Sequence, residues 1–319
     1  MLPFEKNFNT FFNKKILFEN NPRVAVAVSG GPDSIALVFL LKEWIKIKNG
    51  KIIALIVDHQ IRNNSFEEAS DVRKYLNLNN INNLILKVSK KNILKGKMSQ
   101  ARENRFSKIV NYCRNNQIFH LFIGHHYDDN IETYLLRKVA GSNFEGLNCM
   151  QDQTIYKNFQ IFRPFLNFSK KQILSYIKKK NLKIVNDPSN KNEKYSRVNV
   201  RNFLKLNSQY RKNIIKDFKL IRNNYNGYKK MIFQIFNLIN YEIRKNMVVF
   251  ETTKFFYLDK ELQTKFIEIC YKFLNPKKPF IRYKKIINVH NRLCDTANLS
   301  LNIASMRIKK NNNHIYFIA

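Results

Sequence analysis

Residues 24–28 (VAVAV) are apolar at every position and run straight into Ser29-Gly30-Gly31-Pro32-Asp33-Ser34. That pattern predicts a buried strand followed by a sharp turn. The next stretch, IALVFLLKEWIKI, keeps its apolar residues in helical register until Asn49-Gly50 stops it. Residues 52–57 (IIALIV) predict a second buried strand ending at Asp58-His59, and residues 84–88 (LILKV) a third. A helix follows over residues 100–115, a fourth strand over 118–123 (IFHLFI), and Gly124-His125-His126 leads into a helix beginning near Asp128. An amphipathic helix precedes the first strand. Strands that are apolar throughout, alternating with helices, need cover on both faces, so the first part of the chain is expected to be α/β with a doubly wound parallel sheet. Ligands of such sheets bind beyond the carboxyl ends of the strands, where the strand order reverses. Residues 29–34, Asp58-His59 and residues 125–132 each follow an apolar strand directly.

From about Phe168 the pattern turns to basic, helix-forming sequence such as SKKQILSYIKKKNL. After a turn at Asn186-Asp187-Pro188-Ser189-Asn190 come further helical stretches with short strand-like pieces (MVVFETT, IYFIA). A second, smaller and mostly helical domain is expected, with boundaries at 1–207 and 208–319. Charge sharpens this division. The 57 Lys+Arg and 23 Asp+Glu of the 319 residues give a net +34, divided as 22 − 13 = +9 over residues 1–150 and 35 − 10 = +25 over the rest. A surplus of that size draws polyanions, and its uneven placement favours nucleic acid over compositional drift. With 44% hydrophobic residues the chain can build a packed core, which excludes a disordered basic tail. No apolar run of membrane-spanning length and no secretory signal occurs, so a cytoplasmic protein without a membrane partner is expected. Cys113, Cys149, Cys270 and Cys294 form no C-x-x-C pair, which disfavours a zinc ribbon or a clustered iron–sulfur site. Oligomeric state is open, a homodimer included.

SGGPDS matches neither the dinucleotide nor the Walker glycine pattern, but adjacent glycines let consecutive N–H groups form an anion nest at a helix N-terminus. Ser29 and Ser34 add hydroxyls, and Pro32 suits a first helical turn. A plain glycine turn capped by Asp33 or Ser34 reads the same residues equally well. Asp128, Asp129 and Glu132 place carboxylates on one helical turn beside His125 and His126, able to bind an ammonium group, a metal or a proton. Asp129-x-x-Glu132 also reads as a capping box. Lys170, Lys171, Lys178, Lys179 and Lys180, with Tyr176 and Tyr195 nearby, form a cluster suited to tracking RNA phosphates and stacking bases. Taken singly, each lysine is equally a solvated helix face.

SGGPDS resembles the S-G-G-x-D-S loop of the PP-loop, or N-type, ATP pyrophosphatases. With VDHQIRNNSFEEA, GHHYDDNIETYLLRKVAGSNFEGL, RPFLNFSKKQI and NDPSN…YSRVNVR following in order, residues 22–203 resemble the tRNA(Ile)-lysidine synthase family. The resemblance implies a two-step reaction on an isoleucine tRNA with a CAU anticodon. ATP adenylates the C2 oxygen of the wobble cytidine and pyrophosphate leaves; the amine of L-lysine then attacks C2 and expels AMP. Decoding moves from AUG to AUA. It further implies that Ser29, Gly30, Gly31, Pro32, Asp33 and Ser34 hold the ATP phosphates, with Mg²⁺ on Asp33, and that backbone around Ala27 and Val57 cradles the adenine. Asp33, His125, His126, Asp128, Asp129, Glu132 and Arg197 take the catalytic roles, and Arg201 joins the lysines on the RNA side. Arg102 and Arg105 match family positions facing the site, and equally fit helix surface charge. The sequence departs from the family's R-N-x-x-R pattern at Val198. Two other functions fit the same residues: a PP-loop tRNA thiolase, and an RNA-binding protein without catalysis.

Overall fold

The VAVAV run forms β1 (Arg23–Val28), buried at Val24, Ala25, Val26 and Val28. It lies inside a six-stranded sheet of order β3-β2-β1-β4-β6-β5, with β2 (Lys51–Asp58), β3 (Asn83–Lys87), β4 (His120–Phe122), β5 (Gln153–Tyr156) and β6 (Phe159–Phe162). All pairings are parallel except β5 with β6. The computed structural model describes residues 2–13, 18–58, 65–88, 98–156, 159–184, 196–239, 241–244, 246–276, 278 and 281–319, with backbone alone at 13, 98–103, 196 and 235–238. The chain divides into two compact units, Met1–Val139 with Cys149–Ile215, and Ala140–Asn148 with Lys216–Ala319.

The helices are α1 (Pro3–Asn13), α2 (Pro32–Ile47), α3 (Ser65–Leu78), α4 (Met98–Asn115), α5 (Tyr127–Val139), α6 (Phe144–Leu147), α7 (Lys170–Lys179), α8 (Ser196–Leu206), α9 (Ser208–Leu238), α10 (Thr252–Phe256), α11 (Lys260–Leu274) and α12 (Tyr283–Asp295). Because side chains alternate along a strand, β1 feeds two separate cores. Val24, Val26 and Val28 join Phe8, Leu37, Leu41, Phe122, Phe162 and Phe165 on one face. Ala25 joins Leu55, Leu121 and the α4 residues Ile109, Val110 and Cys113 on the other. Burying each of these large apolar side chains contributes about 1.5–3 kcal/mol. The expected doubly wound sheet is therefore present.

The fourth strand is shorter than its apolar run suggests. The ladder takes in His120–Phe122, with the Phe119 carbonyl and the Ile123 amide bonding β6 at its two ends. The β5–β6 hairpin has no counterpart in the sequence reading, since QTIY and FQIF are four residues each and interrupted by polar positions.

In the second unit, the two strand-like pieces belong to a five-stranded antiparallel sheet of order β7-β8-β11-β10-β9. Its strands are β7 (Tyr241–Arg244), β8 (Met247–Glu251), β9 (Leu299–Ile303), β10 (Met306–Lys310) and β11 (His314–Ile318). Leu301 and Ile303 of β9 and Met306 and Ile308 of β10 point inward while their neighbours face solvent, a period-2 pattern with one face wet. Phe250, Phe255, Phe266 and Phe317 centre its core. No described helix is long and apolar enough to cross a membrane.

Within the first unit, β1 leads through α2 to β2 on one side, and β4 lies on the other side of β1. The strand order thus reverses between β1 and β4. Their carboxyl ends open onto one crevice, and it receives both the SGGPDS turn and the start of α5.

Candidate active site

Gly31 caps α2 in an extended conformation and Pro32 opens the helix, where its missing N–H costs nothing. Gly30 has φ +82°, a conformation that strains any residue with a Cβ. The Ser34 hydroxyl donates to the Gly31 carbonyl at 2.9 Å and accepts from the Ser29 amide at 3.2 Å. Ser34 is thereby spent on holding the turn's shape, whereas Ser29 is exposed and lies with its hydroxyl 3.4 Å from that of Ser34. The turn leaves the first-turn amides of a 16-residue helix facing the crevice, the electrostatic setting that favours a phosphate.

The end of β4 approaches this turn closely. A Cβ on Gly124 would stand 3.1 Å from the Asp33 carbonyl carbon and oxygen, so glycine is what lets the two loops touch. Two residues later, His126 caps α5. The His126 amide donates to Asp129 Oδ2 at 3.0 Å and the Asp129 amide donates to His126 Nδ1 at 3.3 Å. The reciprocal cap is therefore His126–Asp129, one turn earlier than the Asp129–Glu132 pair read from sequence. Glu132 does something else. It is 3% exposed and accepts a fork of bonds from Arg201, Nε at 2.7 Å and Nη2 at 3.1 Å.

Asp33, Asp128, Asp129 and Glu132 form a carboxylate group whose charge is met by cations from three helices. Lys170, at the start of α7, donates from Nζ to both oxygens of Asp33 at 2.8 and 2.7 Å, and its amide donates to Asp128 Oδ2 at 2.7 Å. Arg211 of α9 donates to Asp128 Oδ1 at 2.5 Å. Arg197 of α8 reaches Thr133 Oγ1 at 3.4 Å. His126 Nε2 lies 3.6 Å from Asp129 Oδ2 and 3.9 Å from Asp33 Oδ1. The Glu132 carboxylate raises the Arg201 pKa above its ordinary value against the opposing effect of burial, with smaller contributions from Asp129 and Asp33. His125 is half-buried beside this group. Asn130, fully buried, fixes α5 by bonding both the amide and the carbonyl of Met150.

The structure thus redistributes several residues. Arg201 and Lys170, read as RNA contacts, lie in the carboxylate group, because the amphipathic turn of α8 and the start of α7 point them inward. Arg211, missed in the sequence reading, joins them. Its only signal was position in a helix full of other basic residues. Tyr176, read as a base-stacking residue, is buried at 5% exposure and stacks on Phe4 at 5.0 Å between ring centroids, because α7 puts Ile173, Tyr176 and Ile177 on its core face. Burial, with Glu5 and Glu43 nearby, raises its phenol pKa well above normal. Lys171, Lys178, Lys179 and Lys180 are on the exposed face, Lys180 paired with Glu5 at 2.7 Å. Ala27 and Val57 lie at strand ends with their side chains against the α4-side core. Burial lowers the Arg105 pKa. His59, residues 186–190 and Tyr195 lie outside the described residues, as does the side chain of Arg102.

For a metal, the donors are hard carboxylate oxygens, which suit Mg²⁺. No group of three or more His, Cys, Asp or Glu among the described residues forms an all-protein cage. One carboxylate beside a phosphate site is the usual arrangement for Mg²⁺, which completes its shell with phosphate and water. The residues present fit that group.

A glycine turn at a helix start, with carboxylates and arginines at the switch point of a parallel sheet, is an arrangement that suits a nucleotide-using α/β protein. The PP-loop domain family matches residues 1–207, and the chain belongs to this ATP-utilising family. Among its relatives, the chain is similar to the tRNA(Ile)-lysidine synthase of Orientia tsutsugamushi, 38% identical over 188 residues, covering 59% of this chain and 42% of that protein. It is likewise similar to that of Wolbachia pipientis wMel, 40% identical over 201 residues, 60% and 47% of the two chains. These matches span less than half the length of each relative. A solved structure, the U34-tRNA thiolase NcsA from Methanococcus maripaludis with its 4Fe–4S cluster, shares the fold with a TM-score of 0.58 at 18% identity, over 69% of this chain and 78% of that one.

Proposed function

We propose that this protein is a tRNA(Ile)-lysidine synthase, acting in the cytoplasm on an isoleucine tRNA with a CAU anticodon, ATP and L-lysine. One observation carries the reading: the anion turn and the carboxylate–arginine group meet at one switch point, in a chain whose PP-loop region is similar to lysidine synthases. We assign residues 1–207 to catalysis and residues 208–319 to tRNA binding.

The site suits the two steps on physical grounds. Amides of the residue 29–34 turn and the α2 dipole would hold the triphosphate, and Asp33 would hold Mg²⁺ against it. When bound, that ion offsets charge on the departing pyrophosphate. The cytidine C2 oxygen attacks the α-phosphorus, the bond to pyrophosphate breaks, and an arginine fork beside the site steadies the developing charge. Arg197 fits that role, its guanidinium 3.4 Å from the Thr133 hydroxyl, while Arg201 one turn away holds Glu132. The lysine amine then forms the bond to C2 as AMP departs. Asp128, Asp129 and Glu132, with His125 and His126, would hold the incoming ammonium and accept its proton.

The test is incorporation of labelled lysine into a CAU-anticodon isoleucine tRNA transcript, with and without ATP, methionine tRNA serving as control. ATP-dependent label on the isoleucine tRNA alone is the expected outcome. A folded protein that binds the tRNA yet leaves it unlabelled would overturn the proposal.

A further inference from the structure

We propose that Phe203 and Tyr210, two exposed rings at the corner between α8 and α9, form a stacking platform for unpaired bases of the tRNA. This inference rests on the reading of the protein as an enzyme acting on tRNA. Helix α8 ends at Leu206 and α9 begins at Ser208. The turn between them is fixed by the Asn207 amide donating to the Phe203 carbonyl and the Arg211 amide donating to the Asn207 carbonyl, each at 3.0 Å. Leu204 and Ile214 are buried and set which face of each helix turns inward. Phe203 and Tyr210 are left 41% and 58% exposed, their rings meeting edge to face with centroids 5.6 Å apart. Leu206, exposed beside them, extends the apolar surface.

Apolar side chains grouped on the surface and rimmed by charge mark an interaction site. Here the rim is basic: Lys205 and Lys212 stand exposed on either side of the pair. Rings flanked by cations are the combination that holds single-stranded nucleic acid, the lysines following phosphates and the rings taking bases. A second copy of the chain, itself at net +34, would be repelled from such a rim, whereas a polyanion is drawn to it. Location agrees with chemistry. Arg201, two residues before Phe203, forks onto Glu132, and Arg211, next to Tyr210, bonds Asp128, so the platform borders the carboxylate group. A base that undergoes chemistry must leave its stack, and rings beside the site would hold its unpaired neighbours in place. The buried ring of Tyr176 cannot serve this purpose; Phe203 and Tyr210 can.

The experiment titrates the full chain with a CAU-anticodon isoleucine tRNA transcript, and with a fully paired RNA duplex of similar length, over a range of salt. Phe203→Ala and Tyr210→Ala are each expected to weaken tRNA binding by about tenfold, the loss of one base–aromatic stack. The log–log salt slope should stay at the wild-type value, because no phosphate contact is removed. Affinity for the duplex, which offers no unpaired bases, should not change. Phe203→Leu and Tyr210→Leu keep the apolar bulk at the corner and should lose tRNA affinity as the alanine variants do, while Phe203→Tyr and Tyr210→Trp should retain it. Wild-type tRNA affinity in the alanine and leucine variants overturns the inference, as does a loss that appears equally on the duplex or comes with a flattened salt slope. A change of oligomeric state in sedimentation, with tRNA affinity intact, overturns it in favour of a second copy on the patch. Failure of the wild-type protein itself to bind the tRNA would instead overturn the reading on which it rests.

Discussion

Glu132 is 3% exposed, and its two oxygens accept 2.7 and 3.1 Å bonds from Arg201. A carboxylate that has lost its water is held only by the fork that replaces it, so removing the arginine leaves a buried charge without compensation. The Arg201 side chain is 38% exposed, so solvent screens part of the effect. Arg201→Ala should therefore lower unfolding stability by about 2 kcal/mol, below the 3–5 kcal/mol typical of a fully buried pair. Urea titration checks it, and an unchanged midpoint with an unchanged slope would remove the pair from the stability of the unit. Arg201→Lys should recover only part of the loss, because an ammonium cannot make the two parallel bonds. His126 and Asp129 are bound as tightly into local structure, their mutual capping bonds fixing where α5 begins.

Helix α1 is held to its unit by apolar and polar contacts together. Phe8 and Phe11 are buried, Phe8 against Phe165 and Phe11 against Phe162, while Glu5 takes a 2.7 Å salt bridge from Lys180 just after α7. Burial alone would raise the Glu5 pKa; bonds from Lys180 and the Leu2 amide outweigh it and leave the pKa below the ordinary 4.5. A carboxyl with a depressed folded pKa contributes stability that is full above the unfolded value and is lost as pH falls through the folded one. Glu5→Gln should thus be less stable than wild type at pH 7, by about 1 kcal/mol or less for a bridge with an exposed lysine. The gap should close as pH falls below about 4.5. Thermal unfolding of both proteins across pH 2–8 measures it. A gap that persists unchanged in acid would assign the effect to packing instead of charge.

At the scale of the whole molecule, the charge favours a polyanionic partner. The net +34 persists after the site cations are set against carboxylates, because Lys170, Arg201 and Arg211 are internally matched. Exposed lysines such as Lys178 and Lys179 carry the remainder. Binding through such residues releases counterions from a polyanion, at about 0.7–0.9 in the log–log salt slope per phosphate contact. If the proposed function holds, replacing both with alanine should weaken tRNA binding at low salt and flatten the slope by about one to two. Filter binding from low to moderate salt tests this, and an unchanged slope would place the RNA surface on other lysines.

The apolar runs at residues 24–28 and 52–57 determined by themselves that the first unit is a covered parallel sheet, because only burial on both faces tolerates such continuity. SGGPDS likewise announced a tight turn at a helix start, since adjacent glycines and a following proline are local properties. Local sequence also carried the carboxylates of α5, which sit within one turn. It could not carry the identity of their partners. Arg201 and Arg211 lie 69 and 83 residues from the α5 carboxylates they meet, and the Lys170 ammonium meets Asp33 across 137 residues; nothing in a basic helix tells an inward lysine from a solvated one. Tyr176 and Lys170 share one short helix, yet one enters the core and the other the crevice. Facing direction is a property of how α7 packs on α1 and α2, not of its residues taken in order. The strands β5 and β6 were hidden for the same reason: four residues with polar interruptions become strands only when a neighbour satisfies their backbone.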